Sequence, residues 1–180
     1  MKSIKLIALS SLLTVGIFTV VIYTSCTKDA CKGVTCQNGG TCSGGNCVCT
    51  SGYEGTNCET LSRTKFIKSW SASDLITGGT APLSYTANIA AGVTSDITQV
   101  IIGNSFSDNF FTIGPITATI SGITTNGATA TTITIPNQNP DGNKYSVSGT
   151  GTLANGKITW SYTIKNDNTS ATQVYAGTWQ

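Results

Sequence analysis

Six of the chain's 7 cysteines fall between Cys31 and Cys58, and Cys26 stands alone outside the run. A segment that short cannot bury enough apolar surface to fold unaided, so it needs covalent staples or a metal. The spacing is Cys31-x4-Cys36-x5-Cys42-x4-Cys47-x-Cys49-x8-Cys58. A single residue separates Cys47 from Cys49, whereas structural zinc sites start from wider pairs, which argues against zinc. The expectation is therefore an oxidised knot of three bridges, each typically worth ~2–4 kcal/mol. Such bridges persist only in an exported chain. Spacing alone leaves their connectivity open.

The N-terminus reads as an export segment. Lys2 and Lys5 precede an apolar stretch, Leu6–Ile22, which runs into Tyr23-Thr24-Ser25-Cys26. A basic start, an apolar core and small residues before a cut point describe a signal peptide. A cysteine behind two small residues resembles the lipobox of bacterial lipoproteins, although Tyr23 stands where that motif usually has Leu. The resemblance implies a signal over residues 1–25, a mature chain beginning at Cys26, and a membrane lipid attached through that sulfur. Thr27 in place of Asp implies, by the same resemblance, the outer membrane of the cell envelope, and Lys28-Asp29 reads as part of a surface-export tag, which would put the chain at the surface. A retained anchor is one alternative, since the run approaches the ~20 residues that span a bilayer. An unpaired thiol is the other. Residues 26–30 then form a lipidated tether. At ~3.5 Å per residue its free part reaches only ~14 Å, which holds the knot near the membrane.

Around the cysteines the sequence is more specific. "QNGGTC" (Gln37–Cys42) and "GYEGTNC" (Gly52–Cys58), set in that spacing, resemble an EGF-like domain over residues 31–59. The resemblance implies the pairs Cys31–Cys42, Cys36–Cys47 and Cys49–Cys58, a turn at Gly39-Gly40, and Tyr53 packed on the small core. It also implies that Gly55 takes a backbone conformation that a Cβ would resist. Calcium-binding members place several acidic or amide residues before the first cysteine. Here Thr27–Ala30 offers only Asp29, while a hard cation takes ~6–8 oxygens. No calcium, other metal or cofactor is expected, and the module reads as a stiff spacer.

From residue 60 to 180 the composition changes. Cysteine disappears, and Ser- and Thr-rich stretches alternate with short apolar runs, the pattern of half-buried strands. Strands are expected near 64–71, 83–91, 97–103, 115–122, 130–135, 144–154, 157–165 and 171–179. Asn155-Gly156 is a preferred two-residue hairpin turn. It sets Leu153 against Ile158, Gly151 against Trp160, Gly149 against Tyr162 and Val147 against Ile164. Apolar residues then share one face and each aromatic covers a glycine. A second turn at Asn126-Gly127 pairs Ile120 with Ile133. Consecutive hairpins make a meander of about eight strands, which must close or stack to hide its edges. The strand count, "KFIKSW" (Lys65–Trp70) at the start and "GTW" (Gly177–Trp179) at the end resemble calycin-like, lipocalin-type barrels, with Lys68 where their signature has glycine. The resemblance implies a mostly β fold with an antiparallel eight-stranded β-barrel. A two-sheet β-sandwich is the alternative.

The residue inventory narrows function. There is no histidine, and residues 60–180 hold no cysteine, so Ser–His and Cys–His chemistry is excluded there. The acids of this region, Asp74, Asp96, Asp108, Asp141 and Asp167, read as turn residues. No catalytic residue is assigned and no enzyme is expected. The chain has 10 Lys+Arg against 8 Asp+Glu, and losing Lys2 and Lys5 leaves 8 against 8. That balance gives no case for nucleic acid. The expectation is a surface lipoprotein whose spacer presents a non-catalytic β domain for binding or adhesion, with a protein or glycan as partner. Phe106, Phe110 and Phe111 are the candidate exposed aromatics, and they read equally well as a core plug. The alternative is a lipocalin-like carrier holding a small apolar ligand among Phe66, Trp70, Trp160, Tyr162 and Trp179. Against it stands the collapsed core, because an eight-stranded barrel is just wide enough for side chains to fill.

Overall fold

The structure is a computed structural model that describes residues 29–103, 106, 114–121, 129–142 and 144–180. The signal segment, Cys26, Asp108, Phe110, Phe111 and the Asn126-Gly127 turn lie outside the described residues. Two units follow one another: a small disulfide-bonded module and a closed eight-stranded antiparallel β-barrel.

In the knot, β1 (Thr41–Ser43) pairs with β2 (Asn46–Val48), and β3 (Tyr53–Glu54) pairs with β4 (Thr60–Leu61). The bridges join Cys31 to Cys42, Cys36 to Cys47 and Cys49 to Cys58, with Cα separations of 5.9, 5.6 and 5.3 Å. Sulfur is most of what the knot buries. Cys47, Cys49 and Cys58 form its core, and Val34, Cys36 and Tyr53 pack against them.

The barrel runs β5 (Ser69–Ile76), β6 (Leu83–Ala91), β7 (Gln99–Ile102), β8 (Ile116–Ser121), β9 (Thr132–Gln138), β10 (Tyr145–Ala154), β11 (Lys157–Asn166) and β12 (Thr172–Trp179). Every strand pairs with its neighbour in sequence, and β12 returns to β5 to complete the wall. The two-sheet sandwich is therefore not the architecture: closure pairs both edges instead of stacking them. The β10–β11 register is the expected one, with Gly151 opposite Trp160 and Gly149 opposite Tyr162. Asn155 and Gly156 both have positive φ, 51° and 75°, as a two-residue turn of this twist demands. Ile120 pairs with Ile133 across β8 and β9.

The opening strand differs from the expectation of 64–71. Ser62–Lys65 form a short 3-10 turn, Phe66 N–H donates to Arg63 O, and the strand begins only at Ser69. The side chains explain this. Phe66 and Trp70 stand four residues apart, and Trp70 Nε1 donates to Phe66 O at 2.9 Å, a local closure that an extended strand cannot make. Lys68, the departure from the lipocalin pattern, places its ammonium 3.8 Å from the centre of the Trp70 ring. The displaced strand overturns a second expectation. Asp74 lies within β5, on the inward parity of Trp70 and Ala72, and is fully buried rather than in a turn.

The outer wall is hydroxylated. Following the pairing around the barrel, Ser121, Thr132, Thr152, Thr159, Thr178, Ser73 and Ser84 form one continuous row. This is the reverse of a membrane barrel, which turns an apolar band outward. Among the described residues, no helix is long and apolar enough to cross a membrane.

No linker separates the two units. Ser62 N–H donates to Gly52 O directly after β4. Glu54, 7% exposed, is held by Lys65 Nζ at 2.6 Å and accepts the Ala130 N–H at 3.0 Å through the same oxygen, Oε2. Gly52 has φ of 89°, and a Cβ there would come within 2.7 Å of Ile97, so both its conformation and the contact require glycine. Arg63 Nη1 donates to Asp96 O and Gln99 O at 3.2 and 3.1 Å. Residues 62–68, 92–98 and 129–131 all lie at the barrel end where β5, β7 and β9 begin. The knot is seated on that end, and the opposite end faces away from it.

Candidate functional site: the distal mouth and the packed lumen beneath it

Register sorts the inward residues into layers. At the distal end, Tyr145 of β10 opposes Asn166 of β11, and Ile164 opposes Gln173 of β12. The next layer holds Tyr162 opposite Tyr175, stacked with centroids 4.7 Å apart and planes 3° from parallel. Below it Gly151, Trp160, Gly177 and Asp74 lie in one row. Glycine flanks Trp160 on both sides because there is no room for more. A Cβ on Gly151 would stand 2.9 Å from the indole, and one on Gly177 would stand 2.2 Å from Asp74 Oδ1.

The side chains named for an apolar ligand fill this space themselves. Phe66, Trp70, Trp160, Tyr162 and Trp179 are at most 1% exposed. Trp160 and Trp179 lie 5.1 Å apart, and Phe106 packs among them at 4.7 Å from Tyr162 and 5.8 Å from Trp179. Phe106 is thus a core plug and not an exposed anchor. Trp70 and Phe66 stand at the knot end and complete the same core. Among the described residues, the rings of Trp160, Tyr162 and Trp179 meet around Phe106.

Asp74 organises the polar part of this core. Oδ2 accepts hydrogen bonds from the hydroxyls of Tyr85 and Tyr162, the latter at 2.7 Å, and Oδ1 accepts from Trp179 Nε1 at 3.0 Å. A buried carboxyl needs such partners. The three donors come from β6, β11 and β12, so the carboxyl ties β5 to both of its neighbours and to the strand beyond β12. Trp160 Nε1 is buried with no hydrogen-bond acceptor among the described residues.

Above this core is a recess of about 250 Å³ lined by Tyr145, Ile164, Asn166, Ala171 and Gln173. Ile164 and Ala171 supply apolar surface and Tyr145 a ring. Asn166 Oδ1 accepts from Asn168 N and Thr169 N at 3.0 and 3.2 Å, which folds the β11–β12 turn. Gln173 Oε1 accepts from the Tyr175 hydroxyl at 2.9 Å. Both amide oxygens are thereby used inside the protein, which leaves the NH2 groups as the donors at the recess. Around the rim, Asp167 accepts from Ser146 Oγ at 2.9 Å and Asn139 Nδ2 at 3.1 Å, and Lys144 lies 5.2 Å from the Tyr145 ring centre. Two larger depressions, of about 470 and 400 Å³, lie on the outer wall over Ser71, Ser73, Ser84 and Thr178 and on the knot beside Val34 and Asn57. Both are more open than the recess, and the first includes Tyr85 in its lining.

Electrostatics concentrate at the other end. Asp96 accepts from Thr98 Oγ1 at 2.6 Å and Thr98 N at 2.9 Å. Those two bonds, then the Gln99 N–H and the Arg63 guanidinium, hold its carboxyl below the ordinary range. Among the described residues, no three of His, Cys, Asp and Glu converge as a metal would need.

The mouth residues Tyr145, Asn166 and Gln173 and the buried Asp74 escaped the sequence reading. For Asp74 a signal existed: continuing the alternation of Trp70 and Ala72 by one step places it inward. For the mouth none did, because Asn, Gln and Tyr near a turn look the same whether they line a recess or face water. Compared with known protein families and with curated proteins, the chain matches none.

Proposed function

We propose that the chain is a bacterial-type, surface-exposed outer-membrane lipoprotein, anchored through acylated Cys26. In this reading an EGF-like spacer presents a calycin-like, non-catalytic β domain for recognition. The observation that carries the reading is the polarity of the assembly. The knot joins the tether and is clamped to one barrel end through Glu54, Lys65 and Ala130, while the recess opens at the other end. Such a mount holds a binding mouth away from the membrane. The packed lumen favours it over the apolar carrier, since Trp160, Tyr162, Trp179 and Phe106 occupy the space a lipophilic guest would need. The inventory behind a non-enzymatic role is the absence of histidine and the full burial of Asp74.

The test is intact-mass analysis of the membrane-extracted protein, with protease shaving of whole cells. The expected result is loss of residues 1–25, acyl mass on Cys26, three bridges, and release of barrel peptides from intact cells. A chain that starts at Met1 with an unmodified Cys26 overturns the anchor. Barrel peptides released only after lysis overturn the display.

A further inference from the structure

The buried carboxyl of Asp74 has a use beyond cohesion. Two phenols and an indole donate to it: the Tyr85 and Tyr162 hydroxyls to Oδ2, and Trp179 Nε1 to Oδ1. We infer that this cluster is a one-electron redox site, in which Tyr85 meets a small oxidising radical, Asp74 carries the proton, and the hole settles on Tyr162. The inference stands apart from the reading of the barrel as a binding domain.

Three observations lead to it. First, a phenol gives up an electron readily only when its proton leaves with it. A carboxyl oxygen already bonded to the hydroxyl is a proton acceptor in place, and both phenols here meet the same oxygen. Second, the two phenols differ in exposure. Tyr85 is half-buried and lines the outer-wall depression of about 470 Å³, whereas Tyr162 is 1% exposed. Two hydrogen bonds in series put their oxygens within ~6 Å of each other, close enough for an electron to pass. Third, Tyr162 lies among rings. It stacks on Tyr175 at 4.7 Å, 3° from parallel, and Phe106 lies 4.7 Å from it. Tyr85 has only an edge-on approach to Trp179 at 6.2 Å among the ring contacts of the described residues. A stacked neighbour shares a hole, which favours Tyr162. A phenoxyl decays chiefly by pairing with a second one, and a ring enclosed in the core cannot meet its counterpart in another molecule.

The steps balance. Tyr85 gives one electron to the radical and its hydroxyl proton to Asp74 Oδ2, which leaves a phenoxyl, a protonated carboxyl and the oxidant as its reduced anion. The Tyr85 phenoxyl then takes an electron from Tyr162 and recovers the proton from Asp74, while Tyr162 passes its own proton to the same carboxyl. The net second step moves one hydrogen atom from Tyr162 to Tyr85. Trp179 is a positioning residue, because its N–H holds Oδ1 and stops the carboxyl from turning away.

The experiment generates azide radicals by pulse radiolysis in a solution of the full-length, detergent-solubilised protein. It follows the phenoxyl by absorption and by electron paramagnetic resonance. The expected phenoxyl decays at a rate independent of protein concentration and forms more slowly in deuterium oxide. Asp74→Asn keeps an oxygen for the hydroxyls but takes no proton, and it should slow formation by ~100-fold. Tyr162→Phe should abolish the long-lived signal and leave one that decays by pairing. Tyr85→Phe should delay the Tyr162 signal, and Tyr53→Phe, in the knot, should leave it unchanged. The tyrosine variants keep their rings, so they decide the matter even where Asp74→Asn fails to fold. Three results overturn the assignment: pairing decay in the wild type, an equally long-lived phenoxyl in Tyr162→Phe, or formation unchanged by Tyr85→Phe. None of these touches the acyl mass or the cell-shaving result, so the redox site fails separately from the display.

Discussion

The knot and the barrel solve one problem, cohesion, in opposite ways. The knot closes with three disulfides over a buried core of Cys47, Cys49 and Cys58. The barrel has no cysteine and closes around a continuous apolar core with the Asp74 carboxyl set in it. Chain length explains the contrast. A few dozen residues bury too small a fraction of their surface to cohere, whereas more than a hundred can wrap a lumen. The lesson concerns failure. The knot depends on redox state and the barrel on packing, so each should break under conditions that leave the other standing.

Reduction is the strongest separator. Each lost bridge removes ~2–5 kcal/mol, more than so small a module has to lose, so the reduced knot should unfold completely. All three tryptophans, Trp70, Trp160 and Trp179, lie in the barrel, and their fluorescence therefore reports that unit alone. Its melt with reductant should stay within a few degrees of the melt without it. A fluorescence transition that collapses together with the knot breaks the comparison.

Next in size is Asp74→Ala, which removes the acceptor shared by the hydroxyls of Tyr85 and Tyr162 and the Trp179 indole N–H in the core. A cost of about 3 kcal/mol or more is expected in urea unfolding, with Asp74→Asn costing less because one acceptor remains. Gly177→Ala should cost ~1–3 kcal/mol in the same assay, since its Cβ must displace Asp74 or Trp160. Neither substitution should change the resistance of the disulfides to reduction.

Glu54→Gln addresses the joint between the units. It keeps an acceptor for Ala130 N–H and loses the charge facing Lys65. The pair is partly exposed, so the expected cost is only ~1 kcal/mol. The Ala130 amide should nonetheless exchange faster with deuterium. The smallest effect is acid sensitivity. Asp96 has a folded-state pKa below its unfolded value, so its contribution is complete above the ordinary aspartate value of ~3.9. It is lost only as pH falls further, through the depressed value. Between pH ~5 and pH ~2 the wild type should lose slightly more stability than Asp96→Asn, and above pH ~5 their difference should be constant. A difference that keeps changing above pH ~5 contradicts the assignment.

Much of this division was legible in the sequence. Cysteine spacing marked the knot, and Asn155-Gly156 fixed the register that sets Trp160 over Gly151. Both signals are local, since they depend on spacing and on turn dihedrals. The misread parts depend on side-chain contacts, most of them between distant residues. Nothing in "KFIKSW" shows that Phe66 folds under Trp70, and the three donors to Asp74 come from strands 11 to 105 positions away. The clamp on Glu54 joins residues 76 positions apart. Phe106 read equally well as an exposed anchor or a core plug until the rings around it were placed.

The claim on which the account turns is that the knot grips the barrel by one end. Backbone 15N relaxation of the oxidised full-length protein tests it most directly. The account predicts one common overall tumbling for residues 31–58 and 69–179, loosened when Glu54 is replaced by alanine. Independent tumbling of the two units in the wild type contradicts it.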